Sequence, residues 1–227
     1  MFDFLSKATK NSWDEDVFQL TPAGVITVVA VIVILLGIAV IMHNKDSKKT
    51  IFSAKQLVFS AVAMALALVT SYIKFFNFPL GGSITLFSMF FVTLVGYWYG
   101  PKAGIMTAMS YGLLQFVLDP VFYYPAQLLI DYPLAFGALG VSGFFCKKKN
   151  GLLLGYIAGV CGRFVFAFLS GVIFFGYYAP EGWGVMAYSA VYNGTYIFVE
   201  AAITIVLLAV PAVRHGLAQV KRMAIEN

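Results

Sequence analysis

Seven apolar runs divide this 227-residue chain and leave it few ways to fold. They cover residues 22–42, 57–76, 84–99, 103–118, 126–146, 152–176 and 185–210. A helix needs roughly 20 apolar residues to cross a bilayer, and somewhat fewer when it is buried in a bundle. Inside lipid every backbone polar group must be bonded within its own segment, which favours helices for runs of this length. The chain is 61% hydrophobic and 11% charged, where a soluble domain carries about a quarter of its residues as charges. The expected class is an all-α integral membrane protein with seven spans.

The connections assign sides. Lys45, Lys48, Lys49 and Lys55 follow the first run, Lys102 the third, Lys147 to Lys149 the fifth, and Arg214, Lys221 and Arg222 the seventh. The alternate connections, 77–83, 119–125 and 177–184, hold no Lys or Arg. By the positive-inside rule the N-terminus lies outside and the C-terminus inside. Lys74, near the outer side, snorkels to the interface. Bases dispersed among short loops are topology signals, so the net charge of +5 does not indicate a nucleic-acid partner. Cys146 and Cys161 form no metal or disulfide spacing, and the mixed, acidic N-terminus does not read as a cleavable signal.

The first run differs from the rest. "PAGVITVVAVIVILLGIAVIM" is Val/Ile-rich, has no polar residue in mid-span, and precedes the polar stretch "HNKDSKKT". Residues 1–50 therefore read as a tail, a lipid-facing helix and a linker on the inner side. Residues 51–227 read as a six-helix body rich in Gly, Tyr and Phe, as membrane bundles with close helix contacts tend to be.

Within the body, a few polar groups need a reason. Asp131, in "AQLLIDYPLAFG", sits roughly 8–9 Å below the outer end of its helix at 1.5 Å per residue. An ionisable group there faces a cavity or a partner. Pro125 and Pro133 bracket it, and Tyr123, Tyr124 and Tyr132 surround it. Arg163 and Glu200 lie at matching depths in the last two spans and are expected to form a structural ion pair. The outer ends of those spans are dense in aromatics, "GVIFFGYYAPEGWGVMAYSAVYNGTY", partly an interfacial belt. Tyr188 and Asn193 offer a hydroxyl and an amide to a pocket opening outward. One carboxylate, an amide, phenols and ring faces suit a small, flat, cationic or amine-bearing ligand. In "SAVAMALAL", Ala61 and Ala65, and Ala63 and Ala67, are small residues four apart, fit for internal packing or for docking of a partner. There is no Walker A loop, metal-ligand cluster or nucleophile elbow. No catalytic residue, metal or cofactor is expected, and His43 and His215 at helix ends are poor candidates.

The motifs "PLGGSITLFSM", "YGLLQFVLD", "QLLIDYPLAFGALG" and "RFVFAFLSGVIFFGYYAPEGWGVMAYSAVYNGTY" resemble, in order and spacing, the thiamine-specific substrate-binding (S) components of energy-coupling factor (ECF) transporters, over about residues 53–213. The resemblance implies a six-helix S-component body, preceded here by one extra helix, in a bacterial cell membrane. It implies capture of thiamine at the outer face and docking on a transmembrane coupling protein with two ATPase subunits, which would hydrolyse the ATP. It places the pocket acid at Asp131 beside Tyr132, the aromatic wall near Phe175, the polar contacts at Tyr188 and Asn193, the outer gate at Gly81, Gly82 and Ser83, and the docking stripe at Ala61 and Ala65. The chain departs from the family's pattern at Asp131, where Glu is usual, at Ala167 in place of a histidine, and at Phe175 in place of a tryptophan. Another flat vitamin or a thiamine precursor is the alternative ligand. A stand-alone ion-coupled carrier is the alternative class.

Overall fold

The computed structural model describes residues 6–10, 16–23, 26, 53–78, 82–121 and 123–226. Apart from the helical residues Pro22, Ala23 and Ile26, the first apolar run and its linker lie outside the described residues. The tail contains an antiparallel hairpin, β1 (Ser6–Lys10) paired with β2 (Asp16–Leu20).

The body begins at Ser53, whose hydroxyl accepts from the Gln56 N–H while the Gln56 side chain accepts from the Ser53 N–H. This reciprocal cap fixes the start of α1 (Ala54–Ser71). The expected helix over 57–76 stops earlier. Residues 74–77 form β3 (Lys74–Asn77), paired antiparallel with β4 (Ser83–Thr85). The aromatic-rich "YIKFFNF" is made of residues that favour a pleated strand. There follow α2 (Ser88–Tyr99), α3 (Pro101–Leu118), α4 (Pro125–Phe145), α5 (Gly151–Phe174) and α6 (Val185–Ala209).

Four of these, α1, α4, α5 and α6, are long and apolar enough to cross a membrane. The twelve-residue α2 extends only about 18 Å, and most of it is buried among its neighbours. A single residue, Gly100 at φ 91°, joins α2 to α3. That left-handed value favours glycine, and Pro101 then opens α3 with its φ already set.

The basic stretch after residue 210 is a further helix, α7 (Pro211–Ile225). Val213 and Leu217 pack against the core and Ala224 is buried, a spacing that marks one apolar stripe. The Tyr99 hydroxyl donates to the Ala224 carbonyl at 3.0 Å, and the Lys55 ammonium donates to the Glu226 carbonyl. α7 is thereby held across the basic end of the bundle.

α4 is the irregular element on which the body is built. It runs as α-helix to Leu129, as π-helix over Ile130–Leu134, and as 3₁₀-helix over Ala138–Phe145. Pro133 lacks the N–H that an α-helix would use, and the chain widens there. The 3₁₀ stretch has a packing reason. Residues three apart in a 3₁₀-helix advance about 6 Å, as do residues four apart in an α-helix. Leu139, Ser142 and Phe145 thus lie in register against Gly159, Gly155 and Gly151 of α5. Gly140 and Gly143 lie likewise against Gly104 and Gly100 at the start of α3. The glycines let the backbones meet, as in close membrane packing generally.

A Cβ at Gly140 would fall on the backbone of Gly104 and Ile105. Gly140→Ala therefore destabilises by about 3 kcal/mol through overpacking. Gly194→Ala, where the nearest atoms are ring carbons at 3.6 Å, is neutral or stabilising by up to about 1 kcal/mol. Thermal unfolding in detergent micelles checks both, and equal effects would contradict this packing.

Candidate functional site

A cavity of about 190 Å³ lies at the end of the body opposite α7, walled by the β3–β4 hairpin and by α1, α3, α4, α5 and α6. Its size is small beside the roughly 300–1,000 Å³ of drug-sized pockets. Asp131 lines it from the π-turn, an irregularity often found at functional sites. Gln127, one turn earlier and buried, donates to the Asp131 carboxylate at 3.0 Å. The same amide donates to the Val121 carbonyl and accepts from the Tyr123 and Tyr124 N–H groups. One side chain thus orients the acid and ties down the loop before α4. Tyr132 also lines the cavity, but its hydroxyl is already engaged: it accepts from Val121 N–H at 2.7 Å and donates to the Asp119 carbonyl at 3.1 Å.

α5 presents Arg163, Ala167, Ser170 and Gly171 to the cavity, a spacing that keeps them on one helix face. The Arg163 guanidinium lies 4.1 Å from the centroid of the Phe136 ring. The Ser170 hydroxyl is buried in the lining beside the Asp131 carboxylate. The absent side chain at Gly171 admits Ser189 and Asn193 of α6, and the Ser189 hydroxyl donates to the Phe168 carbonyl at 2.7 Å.

From α6 come Tyr188, Ser189, Tyr192, Asn193 and Tyr196. The Asn193 amide nitrogen donates to the Ser189 carbonyl and hydroxyl, and its oxygen accepts from the Tyr196 hydroxyl at 2.7 Å. The amide is held rigidly, with one carbonyl lone pair left for a ligand.

The hairpin closes one side. The Tyr192 hydroxyl accepts from the Gly82 N–H at 3.3 Å, and a Cβ at Gly82 would meet the Tyr196 ring at 2.7 Å. Ser83 also lines the cavity. Gly81 lies outside the described residues. Lys74 and Asp119, 3.0 Å apart, pair on the lining.

Residues 57–218 match the thiamine transporter protein family, Thia_YuaJ. Over 186 residues the chain is 34% identical to the thiamine transporter ThiT of Bacillus subtilis, covering 74% of this chain and 95% of that one. The chain belongs to the thiamine transporter (Thia_YuaJ) family. A second relative, thiamine transporter ThiT of Lacticaseibacillus paracasei, is 32% identical over 99 residues, 38% of this chain and 49% of that one. The solved structure of ThiT from Listeria monocytogenes shares the fold, with a TM-score of 0.61 at 23% identity over 75% of this chain and 97% of that one. With its apolar helices, this family member is a multi-pass bacterial membrane protein.

Of the residues singled out in the sequence, Asp131, Tyr132, Phe175, Tyr188, Asn193, Gly82 and Ser83 meet at this one cavity. Phe175 packs edge-on to Tyr123 at 5.4 Å. Tyr124 does not join them. Pro125 starts α4 immediately after it, and its ring stacks on Phe174 at 5.7 Å, 48% exposed.

The expected ion pair between Arg163 and Glu200 is not formed. Glu200 instead accepts from the Thr85 hydroxyl at 2.6 Å, the Ser88 hydroxyl at 3.1 Å and the Met89 N–H at 3.1 Å. Three donors from β4 and the start of α2 already satisfy the buried carboxylate, while Arg163 is drawn to Phe136. Gln127, Ser170 and Ser189 had no signal of their own in the sequence. Their helical offsets from Asp131, Arg163 and Asn193 become informative only once the lining faces are known.

Ala61 and Ala65 lie on the exposed face of α1, whereas Ala63 and Ala67 are buried. The two alanine pairs therefore serve opposite faces of one helix.

Proposed function

We propose that this chain is the membrane-embedded substrate-capture component of an ECF-type transporter and that it binds thiamine in the cavity under the β3–β4 hairpin. The observation that carries the reading is the convergence on that cavity of one oriented carboxylate, Asp131, with the phenol of Tyr188, the fixed amide of Asn193 and the ring of Phe175. Thiamine joins an aminopyrimidine to a cationic thiazolium ring. Asp131 accepts from the amino group in a charge-assisted hydrogen bond. Phe175 and the tyrosine faces hold the rings, each worth roughly 0.5–2 kcal/mol against a cation. Tyr188 and the remaining Asn193 lone pair meet the polar edges.

In this reading the chain crosses the membrane seven times, N-terminus out and C-terminus in, so that the hairpin end faces the exterior. Gly81, Gly82 and Ser83 form the gate. Ala61 and Ala65, small and exposed on α1, admit the close approach of a coupling-protein helix, and two partner ATPase subunits supply the energy. The space left by Ala167 supports a thiamine precursor or another flat vitamin as the second reading.

Ala61→Trp with Ala65→Trp tests the docking face. Co-purification with the coupling protein and its ATPases is lost, and thiamine binding is retained. Thiamine uptake into proteoliposomes without any ATPase would instead establish a self-sufficient carrier.

A further inference from the structure

A second cavity, of about 410 Å³, lies at the opposite end of the body between α2, the start of α5, the end of α6, and α7. Four cations among the described residues line it: Lys149, Arg214, Lys221 and Arg222. Among the described residues its lining contains no Asp or Glu. Two of the cations are fixed in place. The Arg214 Nε donates to the Leu208 carbonyl at 2.8 Å, and the Lys221 ammonium sits 3.7 Å from the centroid of the Tyr97 ring. Neither contact neutralises a positive charge. The first turn of α5 also opens here, and its N-cap residue, Asn150, makes no capping hydrogen bond. The positive end of a 24-residue helix adds to the field. The remaining wall is apolar, with Leu94, Leu152 and Leu217.

We infer that this cavity binds the phosphate headgroup of an anionic phospholipid, with the lipid's apolar portion against the leucine wall. Topology signalling alone accounts for basic residues scattered through loops. It does not account for four cations from two separate segments gathered around one partly apolar cavity. Basic pockets between membrane helices take anionic lipid headgroups, and α7, with its apolar stripe on the core, holds its cations at the level of the bundle's end. A soluble phosphate would use the cations but not the leucine wall. The site is independent of the identity of the transported vitamin.

The test uses the full chain in detergent, titrated with phosphatidylglycerol or with phosphatidylcholine and read by native mass spectrometry and thermal shift. Phosphatidylglycerol binds and stabilises, and phosphatidylcholine does not. Lys149→Gln with Arg222→Gln, both exposed positions, weakens phosphatidylglycerol binding roughly thirtyfold while thiamine binding stays unchanged. Equal binding of the two lipids, or undiminished phosphatidylglycerol binding by the double variant, would overturn the assignment. Equally tight binding of glycerol phosphate would assign the site to a free phosphate compound instead. Loss of coupling-module capture with lipid binding intact would assign it to a protein partner.

Discussion

Replacing Asp131 with Asn lowers the affinity for thiamine roughly 10- to 100-fold and leaves the fold standing. The size follows from what is removed. A hydrogen bond to a charged group contributes about 1.5–3 kcal/mol, and the half-buried carboxylate faces a small cavity. The fold survives because Asn keeps an oxygen for the Gln127 amide, which donates to Asp131 at 3.0 Å. Unfolding is therefore not the route of the loss, and an unchanged melting temperature in the absence of ligand separates the two. Gln127→Ala gives a milder form of the same defect. The acid keeps its charge but loses its orienting donor, and the loop before α4 loses the partner of Tyr123 and Tyr124. Affinity unchanged in Asp131→Asn would remove the acid from the binding site.

Glu200→Ala has the opposite profile: a large loss of stability in a residue that does not line the cavity. Removing the carboxylate leaves the Thr85 hydroxyl, the Ser88 hydroxyl and the Met89 N–H without their common acceptor. An unsatisfied buried donor costs about 1–3 kcal/mol, and the two hydroxyls, 2.9 Å apart, can still bond one another. The expected net loss is about 3–5 kcal/mol, read by chemical or thermal unfolding. β4 is held to α6 through this carboxylate, so the hairpin wall of the cavity loosens and thiamine affinity falls as well. Glu200→Gln keeps an acceptor but sets an N–H against a donor, and retains about half the stability lost. A direct ion pair with Arg163 would make the Arg163 and Glu200 substitutions strongly non-additive. With Arg163 acting on Glu200 through its charge and not through a direct contact, the hydroxyl cage predicts weaker coupling than a contact pair would show.

The sequence made the long helices plain, and less of what lies between them. The runs at 152–176 and 185–210 correspond to α5 (Gly151–Phe174) and α6 (Val185–Ala209), because more than twenty apolar residues without a breaker leave little choice in lipid. Asp131 stood out for the same reason: an acid in such a run needs company. The β3–β4 hairpin was hidden because its aromatic residues extend an apolar run, and periodicity cannot separate a short strand from a helix end. α7 was hidden because its cations carry the topology signal that a basic tail would. The Glu200 cage rests on residues more than a hundred positions away in the chain. Depth alone pointed to Arg163, and only the packing of α4 on α5 shows why its guanidinium turns to Phe136.

The cavity under the hairpin is proposed to select thiamine. Calorimetric titration of the purified chain with thiamine, its isolated aminopyrimidine, riboflavin, biotin and pyridoxine tests it most directly. The expected result is saturable one-to-one binding of thiamine at about micromolar concentrations or below, with the other vitamins silent and the aminopyrimidine weaker. Binding of another vitamin in that range, with none of thiamine, would contradict it.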